Sequence, residues 1–132
     1  MNADIVEQDD EGQTIDYKEF RPKYLVFLGR QISVQFLEEG PWGATVYGDF
    51  YGKEQRIRVL DGLTPVEELD TFLHEVIHMI MHYMHIMMGQ VDEEIIVHKL
   101  ATGMSSLLAE NPHVSQYIAA ISTTSTTDLI EE

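Results

Sequence analysis

Thr71-Phe72-Leu73-His74-Glu75-Val76-Ile77-His78 is the stretch around which the rest of the sequence is organised. It contains the pattern H-E-x-x-H within a segment whose apolar residues recur at helical spacing. Two histidines four residues apart lie one above the other on a helix face, so His74 and His78 can bind one tetrahedral zinc ion. Glu75 lies at the edge of that face, where it can act on a water molecule without ligating the metal. The stretch therefore predicts a metal centre on a helix.

The helix that carries this pattern has a well-defined predicted start. Thr64 is placed as the N-cap, Pro65 as the first helical residue, and Glu67 completes a capping box three residues after the cap. We predict a helix within residues 61–88, ended by Gly89. Its apolar stripe consists of Val66, Leu69, Leu73, Val76, Ile77, Ile80, Met84 and Met87. Its opposite face carries His74, His78, His82 and His85.

The residues before this helix have the alternating pattern of β-strands. Strands are predicted at 24–28, 32–37, 45–51 and 55–60. Together they indicate a small, mostly antiparallel sheet with one buried face. In the last strand Arg56 and Arg58 alternate with apolar residues, so we place them on the solvent face of an edge strand.

The residues after the helix indicate a second helix and a short third one. Asp92 is an N-cap candidate for a helix over residues 93–110, and Asn111-Pro112 ends it. A short last helix is predicted over 114–121. The fold class is α+β, with one domain over residues 23–121. An acidic, flexible segment is expected at 1–22, and a flexible tail at 122–132.

Composition limits the possible partners and ligands. The 132 residues suit one domain, and the absence of cysteine leaves only histidines and carboxylates as metal ligands. The net charge is −15, and Lys99 is the single Lys or Arg after Arg58, which disfavours direct nucleic-acid binding. The N-terminus lacks a signal-peptide pattern, and the apolar run 76–88 is too short and polar to span a bilayer. We expect a cytoplasmic protein that does not bind membranes.

A catalytic zinc ion needs a third protein ligand. The candidates at the start of the second helix are Glu93, Glu94 and His98. On straight antiparallel helices, His78 would lie level with about Thr102. Glu94 can therefore reach His78 only if the two helices cross steeply or the first helix ends early.

Residues 55–112 resemble the ImmA/IrrE-like and related phage-encoded minimal zincin metallopeptidases. The resemblance lies in the strand Gln55-Arg56-Ile57-Arg58-Val59, the helix start Leu63-Thr64-Pro65, the motif Phe72-Leu73-His74-Glu75-Val76-Ile77-His78, the stretch Glu94-Ile95-Ile96-Val97-His98-Lys99-Leu100-Ala101 and the stretch Leu107-Leu108-Ala109-Glu110-Asn111-Pro112. It implies a zincin-like fold, in which the sheet packs on the motif helix and on a second, Glu-bearing helix. It also implies Zn²⁺ bound by His74, His78 and Glu94, with Glu75 as the catalytic base, in a phage or mobile-element setting.

Three functional hypotheses follow. The first is a zinc metallopeptidase acting on a protein or peptide substrate that lies along the strand 55–60. The second is an acidic protein-interaction module that binds a host or regulatory protein. In this module either the zinc is structural, with His98 beside Glu94 closing the site, or the enzymatic activity has been lost. The third is a histidine-rich helix without metal. Glu75 favours the first, because only catalysis requires that glutamate.

The remaining histidines and three tyrosines have simpler roles in packing or on the surface. His82 and His85 suggest a second metal site, but His74 and His85 lie about 16 Å apart along the helix, too far to bind one ion. A minor hypothesis gives His82 a role in gripping a substrate oxyanion. Tyr47, Tyr51 and Tyr83 are the other candidate oxyanion donors.

Overall fold

Four strands and three α-helices follow one another along the chain. The computed structural model describes residues 16–39, 41–42, 46–87, 89 and 92–131, with side chains as far as Thr124. A 3₁₀-helix (Tyr17–Phe20) comes first. The elements after it are β1 (Tyr24–Phe27), β2 (Arg30–Leu37), β3 (Gly48–Tyr51), β4 (Arg56–Leu60), α1 (Pro65–Tyr83), α2 (Glu93–Glu110) and α3 (Pro112–Glu131). The chain is thus α+β, as the sequence predicts.

The sheet is mixed, with the order β1-β2-β4-β3. β1 and β2 are antiparallel, β3 and β4 are antiparallel, and β2 and β4 are parallel. The prediction that β4 is an edge strand is wrong, because Arg56 pairs with Ser33 of β2 on one side and with Tyr51 of β3 on the other. A tight turn after Tyr51 folds β3 and β4 into a hairpin, which places β3 at the edge. Arg56 and Arg58 are accordingly half-buried.

The core lies between the sheet and the helices. Alternate strand residues are fully buried, and α1 and α3 supply the opposing layer. These core residues include Leu25, Phe27, Ile32, Ile57, Val59, Phe72, Val76, Met79, Ile80, Val114, Tyr117 and Ala120. Every second residue of a strand faces the helices, so the alternating pattern in the sequence identifies most of the core residues that the sheet contributes.

Helix α1 begins as predicted and ends earlier. The Thr64 hydroxyl accepts a hydrogen bond from the Glu67 amide, and the Glu67 carboxylate accepts one from the Thr64 amide. The last helical residue is Tyr83, so Gly89 is not the stop. Instead His85 takes a left-handed conformation (φ 55°), and the Ile86 amide donates to the Met81 carbonyl at 2.9 Å. This is a Schellman-type end, and burial of Ile86 turns the chain back toward the core.

Residues just before the sheet are tied to the core. Arg21 pairs with Glu68 at 2.6 Å and with Asp61 at 2.9 Å, and Tyr17 is buried. Residues 17–21 of the expected N-terminal segment therefore pack in the domain. Asp16 caps the 3₁₀-helix and Pro22 is buried, while residues 1–15 lie outside the described residues.

The last helix is longer than the predicted 114–121, since its backbone stays helical to Glu131. Thr123 and Thr124 donate their hydroxyl hydrogens to carbonyl groups one turn earlier, at Ala119 and Ala120. Hydroxyls that bond back in this way let a Ser/Thr-rich stretch continue a helix. No helix in the described part of the chain has both the length and the apolar character needed to cross a membrane.

Candidate active site

The two motif histidines lie on the exposed face of α1 with their rings turned toward each other. Their Nε2 atoms are 3.2 Å apart. Zinc–nitrogen bonds of about 2.0–2.1 Å at a tetrahedral angle require nitrogens about 3.3–3.4 Å apart. The pair thus fits the bite of one zinc ion. The same distance also allows a hydrogen bond between the rings, which requires an unprotonated acceptor nitrogen on one of them.

Glu75 points from α1 toward the edge strand β3 and is 6% exposed. Burial raises the pKa of its carboxyl group, the nearby His74 lowers it, and the charge of Asp49 raises it further. A carboxylate with a raised pKa is a stronger proton acceptor, which suits a general base working near neutral pH.

A cleft runs between α1 and β3, with His74, Glu75 and Gly48 at its middle. On one side of them is the large lobe, of about 790 Å³, completed by Asp49, Phe50, His78, Met81, His82 and Ile86. On the other side is the small lobe, of about 290 Å³, completed by Val46, Tyr47 and Thr71. The candidate base therefore lies where the two lobes meet.

Gly48 is what allows β3 to approach α1 so closely. A Cβ atom at this position would lie 2.7 Å from the Arg58 carbonyl oxygen and 2.9 Å from Thr71 Cγ2. Such separations are too short for a side chain. The glycine thus brings the edge of the sheet beside Glu75.

The free edge of β3 presents main-chain groups next to this cleft. The Leu60 amide donates to the Tyr47 carbonyl at 2.7 Å, and Asp49 is paired with Arg58. Because hydrogen-bonded pairs alternate along an antiparallel ladder, Gly48 and Phe50 direct their N–H and C=O groups away from β4. β3 is the last strand of the sheet among the described residues, so this edge could accept another strand.

The predicted third ligand is not brought to the histidine pair. Glu93, Glu94 and His98 are exposed at the start of α2. In the described parts of the chain, no three His, Asp or Glu residues are grouped so that they could hold a metal ion. One of the two conditions for ligation by Glu94 is met, because α1 ends early. The described residues nevertheless place no third candidate ligand beside His74 and His78. Ligation by Glu94 stays a prediction.

The packing of α2 explains this position. Gly103 and Leu107 are its fully buried residues, both in its C-terminal half. A Cβ atom at Gly103 would lie 2.6 Å from Ile80 Cγ2, so the two helices touch closely at that point. The helix is thus anchored beyond the middle of its length, while its first turns, which carry Glu94, are exposed.

The structure distinguishes the other candidate residues. The His82 ring packs against Gly52 and stands edge-on to Phe50, with ring centroids 5.5 Å apart. Tyr83 donates its hydroxyl to the Gly52 carbonyl at 3.0 Å. His82 and Tyr83 thus hold the β3–β4 turn in place. Tyr51 packs against Arg56, whereas Tyr47 lines the small lobe.

Asp49 is a site residue that the sequence interpretation missed. Its carboxylate accepts hydrogen bonds from the Arg58 guanidinium and from the Trp42 indole, and the Arg58 hydrogen bond holds the pKa of Asp49 below its usual value. The charge of Asp49 acts on Glu75. Recognising the turn at residues 52–55 as a hairpin would have placed Asp49 opposite Arg58.

No protein-family model matches this chain, and neither a curated protein nor a solved structure shows significant similarity to it. The functional interpretation therefore rests on the motif and on the geometry of the cleft.

Proposed function

We propose that this protein is a zinc-dependent peptidase that hydrolyses extended segments of a protein or peptide. The observation that carries the proposal is the 3.2 Å separation of the His74 and His78 Nε2 atoms, beside a buried Glu75 in an open cleft. A histidine pair for the metal and an adjacent carboxylate for the proton are the two parts that this chemistry needs from the motif helix.

His74 and His78 would hold the metal, with Glu94 as the proposed third ligand. When bound, zinc supplies a Lewis acid that polarises a peptide carbonyl and makes a nearby water more acidic. Ligation by Glu94 requires the first turns of α2 to move toward α1. Glu94→Ala should then weaken zinc binding, measured by competition with a chelator, whereas Glu93→Ala should not.

Glu75 is the proposed general base and acid. It accepts a proton from the attacking water as the carbon–oxygen bond forms. It then returns that proton to the amine nitrogen as the carbon–nitrogen bond breaks. The two half-reactions balance, and the carboxylate is regenerated. Burial of Glu75, which raises its pKa, helps it to keep the proton between the two steps.

The substrate would lie along β3 rather than along β4, the strand expected from the sequence. An added peptide strand would pair with the outward main-chain groups of Gly48 and Phe50. This pairing would carry a substrate carbonyl past Glu75 and the histidine pair. A phage or mobile-element origin, with a regulatory protein as the target, remains part of the proposal through the resemblance to minimal zincins.

The deciding experiment measures zinc content and proteolysis together. Wild type, His74→Ala, Glu75→Gln and the control His85→Ala are compared by metal analysis and by cleavage of denatured casein. We expect about one zinc per chain in all but His74→Ala. We also expect Glu75→Gln to lose at least about 100-fold in rate.

Two results would contradict the proposal. Wild type without zinc excludes a metal centre altogether. Zinc-loaded wild type whose cleavage rate is unchanged by Glu75→Gln excludes the peptidase mechanism. The second outcome would favour the other candidate, an acidic interaction module with non-catalytic zinc. That candidate is supported by the net charge of −15 and by the ligand set of two histidines among the described residues.

A further inference from the structure

The two lobes of the cleft differ in size and in lining, and Glu75 and His74 stand between them. A peptide paired with the edge of β3 would pass from one lobe to the other as it crosses the candidate base. Because successive side chains of an extended strand point to opposite faces, two side chains that lie two residues apart, one on each side of the cleaved bond, would enter the two lobes. The size and lining of each lobe then decide which peptide sequences can be cleaved.

The large lobe suits a bulky apolar side chain. Phe50 and Met81 are half-buried in its wall, and Ile86 is 6% exposed. The Phe50 ring is fixed in place by edge-on contacts with His82 and Tyr83, with centroids 5.5 and 5.8 Å away. Its volume of about 790 Å³ leaves room for the largest side chains.

The charges around the large lobe disfavour an acidic side chain there. The described residues that line it include no lysine or arginine, while Glu75 is one of them. The Asp49 carboxylate is already paired with Arg58. Apart from the metal proposed at His74 and His78, a substrate carboxylate would thus lose water and face Glu75 without a cation to compensate.

The small lobe has less than half the volume of the large one. Its volume is about 290 Å³, and Val46, Tyr47 and Thr71 narrow it against Glu75. Gly48 brings β3 so close to α1 that a Cβ atom there would lie 2.9 Å from Thr71 Cγ2 and 3.5 Å from Glu75 Cγ. A side chain at position 48 would therefore push β3 away from α1.

We infer that the cleft selects extended peptides that place a leucine-, methionine- or phenylalanine-sized side chain in the large lobe, on one side of the cleaved bond. The large apolar side chain is recognised by Phe50, Met81 and Ile86. This inference rests on the proposed peptidase function and adds the substrate class to it.

The first test maps cleavage by the zinc-loaded wild type in a mixture of synthetic peptides, read by mass spectrometry. We expect at least about a tenfold preference for Leu, Met or Phe over Gly or Asp at one position beside the cut. Cleavage without such a preference overturns the selectivity and leaves the peptidase proposal intact. If the zinc-loaded protein cleaves no peptide, both proposals fail.

The second test measures binding without turnover. Glu75→Gln is titrated into fluorescein-labelled nonapeptides that differ only in a central Leu, Gly or Lys. Leu should bind about tenfold more tightly than Gly. Met81→Glu, added to this background, should reduce the Leu preference and favour Lys. Met87→Glu makes the same change at a residue that is 63% exposed and outside both lobes. It should leave the order of the three peptide affinities unchanged.

The milder Met81→Ala covers the case in which Met81→Glu does not fold. It should weaken Leu binding and leave Gly binding unaffected. Equal binding of Leu and Gly to Glu75→Gln, or the same response to Met81→Glu and Met87→Glu, would contradict the role assigned to the large lobe.

Discussion

Glu68 shows at the residue scale that a buried charge need not mark a functional site. Its side chain has no solvent exposure, yet its carboxylate accepts hydrogen bonds from Arg21 and from the Tyr117 hydroxyl. Burial raises the pKa of Tyr117, and the hydrogen bond to Glu68 raises it further, so the phenol remains a donor. These three residues join the segment before β1 to α1 and α3.

We expect Glu68→Gln to destabilise the protein by about 3 kcal/mol or more, because it leaves the largely buried Arg21 with part of its charge unpaired. Glu54→Gln is the matched control. Glu54 is exposed and pairs with Arg56, and loss of such a pair costs less than about 1 kcal/mol. Urea unfolding of both variants measures the difference. Equal losses would show that the buried pair contributes no more than the exposed one.

At the element scale, the approach of β3 to α1 creates the cleft. The N-terminal cap of α1 can be read from local sequence, since a capping box involves residues three apart. The order of the strands cannot, because the pairing of β4 with β2 depends on residues more than 20 positions apart in the chain, as Ser33 and Arg56 are. The edge strand was misplaced for this reason.

Gly48→Ala should destabilise the protein by about 1–3 kcal/mol and also reduce peptide cleavage. The added methyl group would overlap the Arg58 carbonyl and push β3 away from Glu75. Gly89→Ala is the control, because a Cβ atom there meets nothing within 4 Å. Its effect should stay within about 1 kcal/mol. The measurements are urea unfolding and the casein assay, and unchanged values for Gly48→Ala would exclude close packing at this point.

At the scale of the whole molecule, 23 acidic side chains face 8 Lys and Arg residues. Two aspartates are among the carboxylates that pair with arginines within the fold, Asp61 with Arg21 and Asp49 with Arg58. The hydrogen bonds from these arginines lower the pKa of both aspartates below their usual value of 3.8. The ionised forms therefore stabilise the folded state.

Acid should remove this stabilisation in a defined window. A lowered pKa contributes stability that is fully present above the usual value and is lost as the pH falls through the folded value. The difference in unfolding free energy between wild type and Asp61→Asn should therefore shrink as the pH falls below about 3.8.

The measurement is urea unfolding at a series of pH values, with Asp70→Asn as the control. Asp70 is exposed on α1, so that variant should stay within about 0.5 kcal/mol of wild type throughout. A constant difference for Asp61→Asn would show that Arg21 does not hold Asp61 in its ionised form.

Spacings between near neighbours along the chain account for several local features of this protein. The predicted apolar stripe of α1 is wrong in part, because Val66, Ile77 and Met87 are exposed whereas Val76 and Ile80 are buried. The Thr64 cap and the shared face of His74 and His78, by contrast, follow from spacings of three or four residues. The period-two strands follow in the same way, and with them the α+β class. In each case the backbone bonds within the element already hold the residues in their relative positions.

Only the tertiary structure decided how these parts meet. It placed β4 inside the sheet, and β3 beside Glu75. It ended α1 at a left-handed His85 because Ile86 is buried, and it anchored α2 through Gly103 so that Glu94 lies exposed. Each of these outcomes depends on contacts between residues far apart in the chain. Their free energies come from close packing and pairing across the whole domain, which no local spacing encodes.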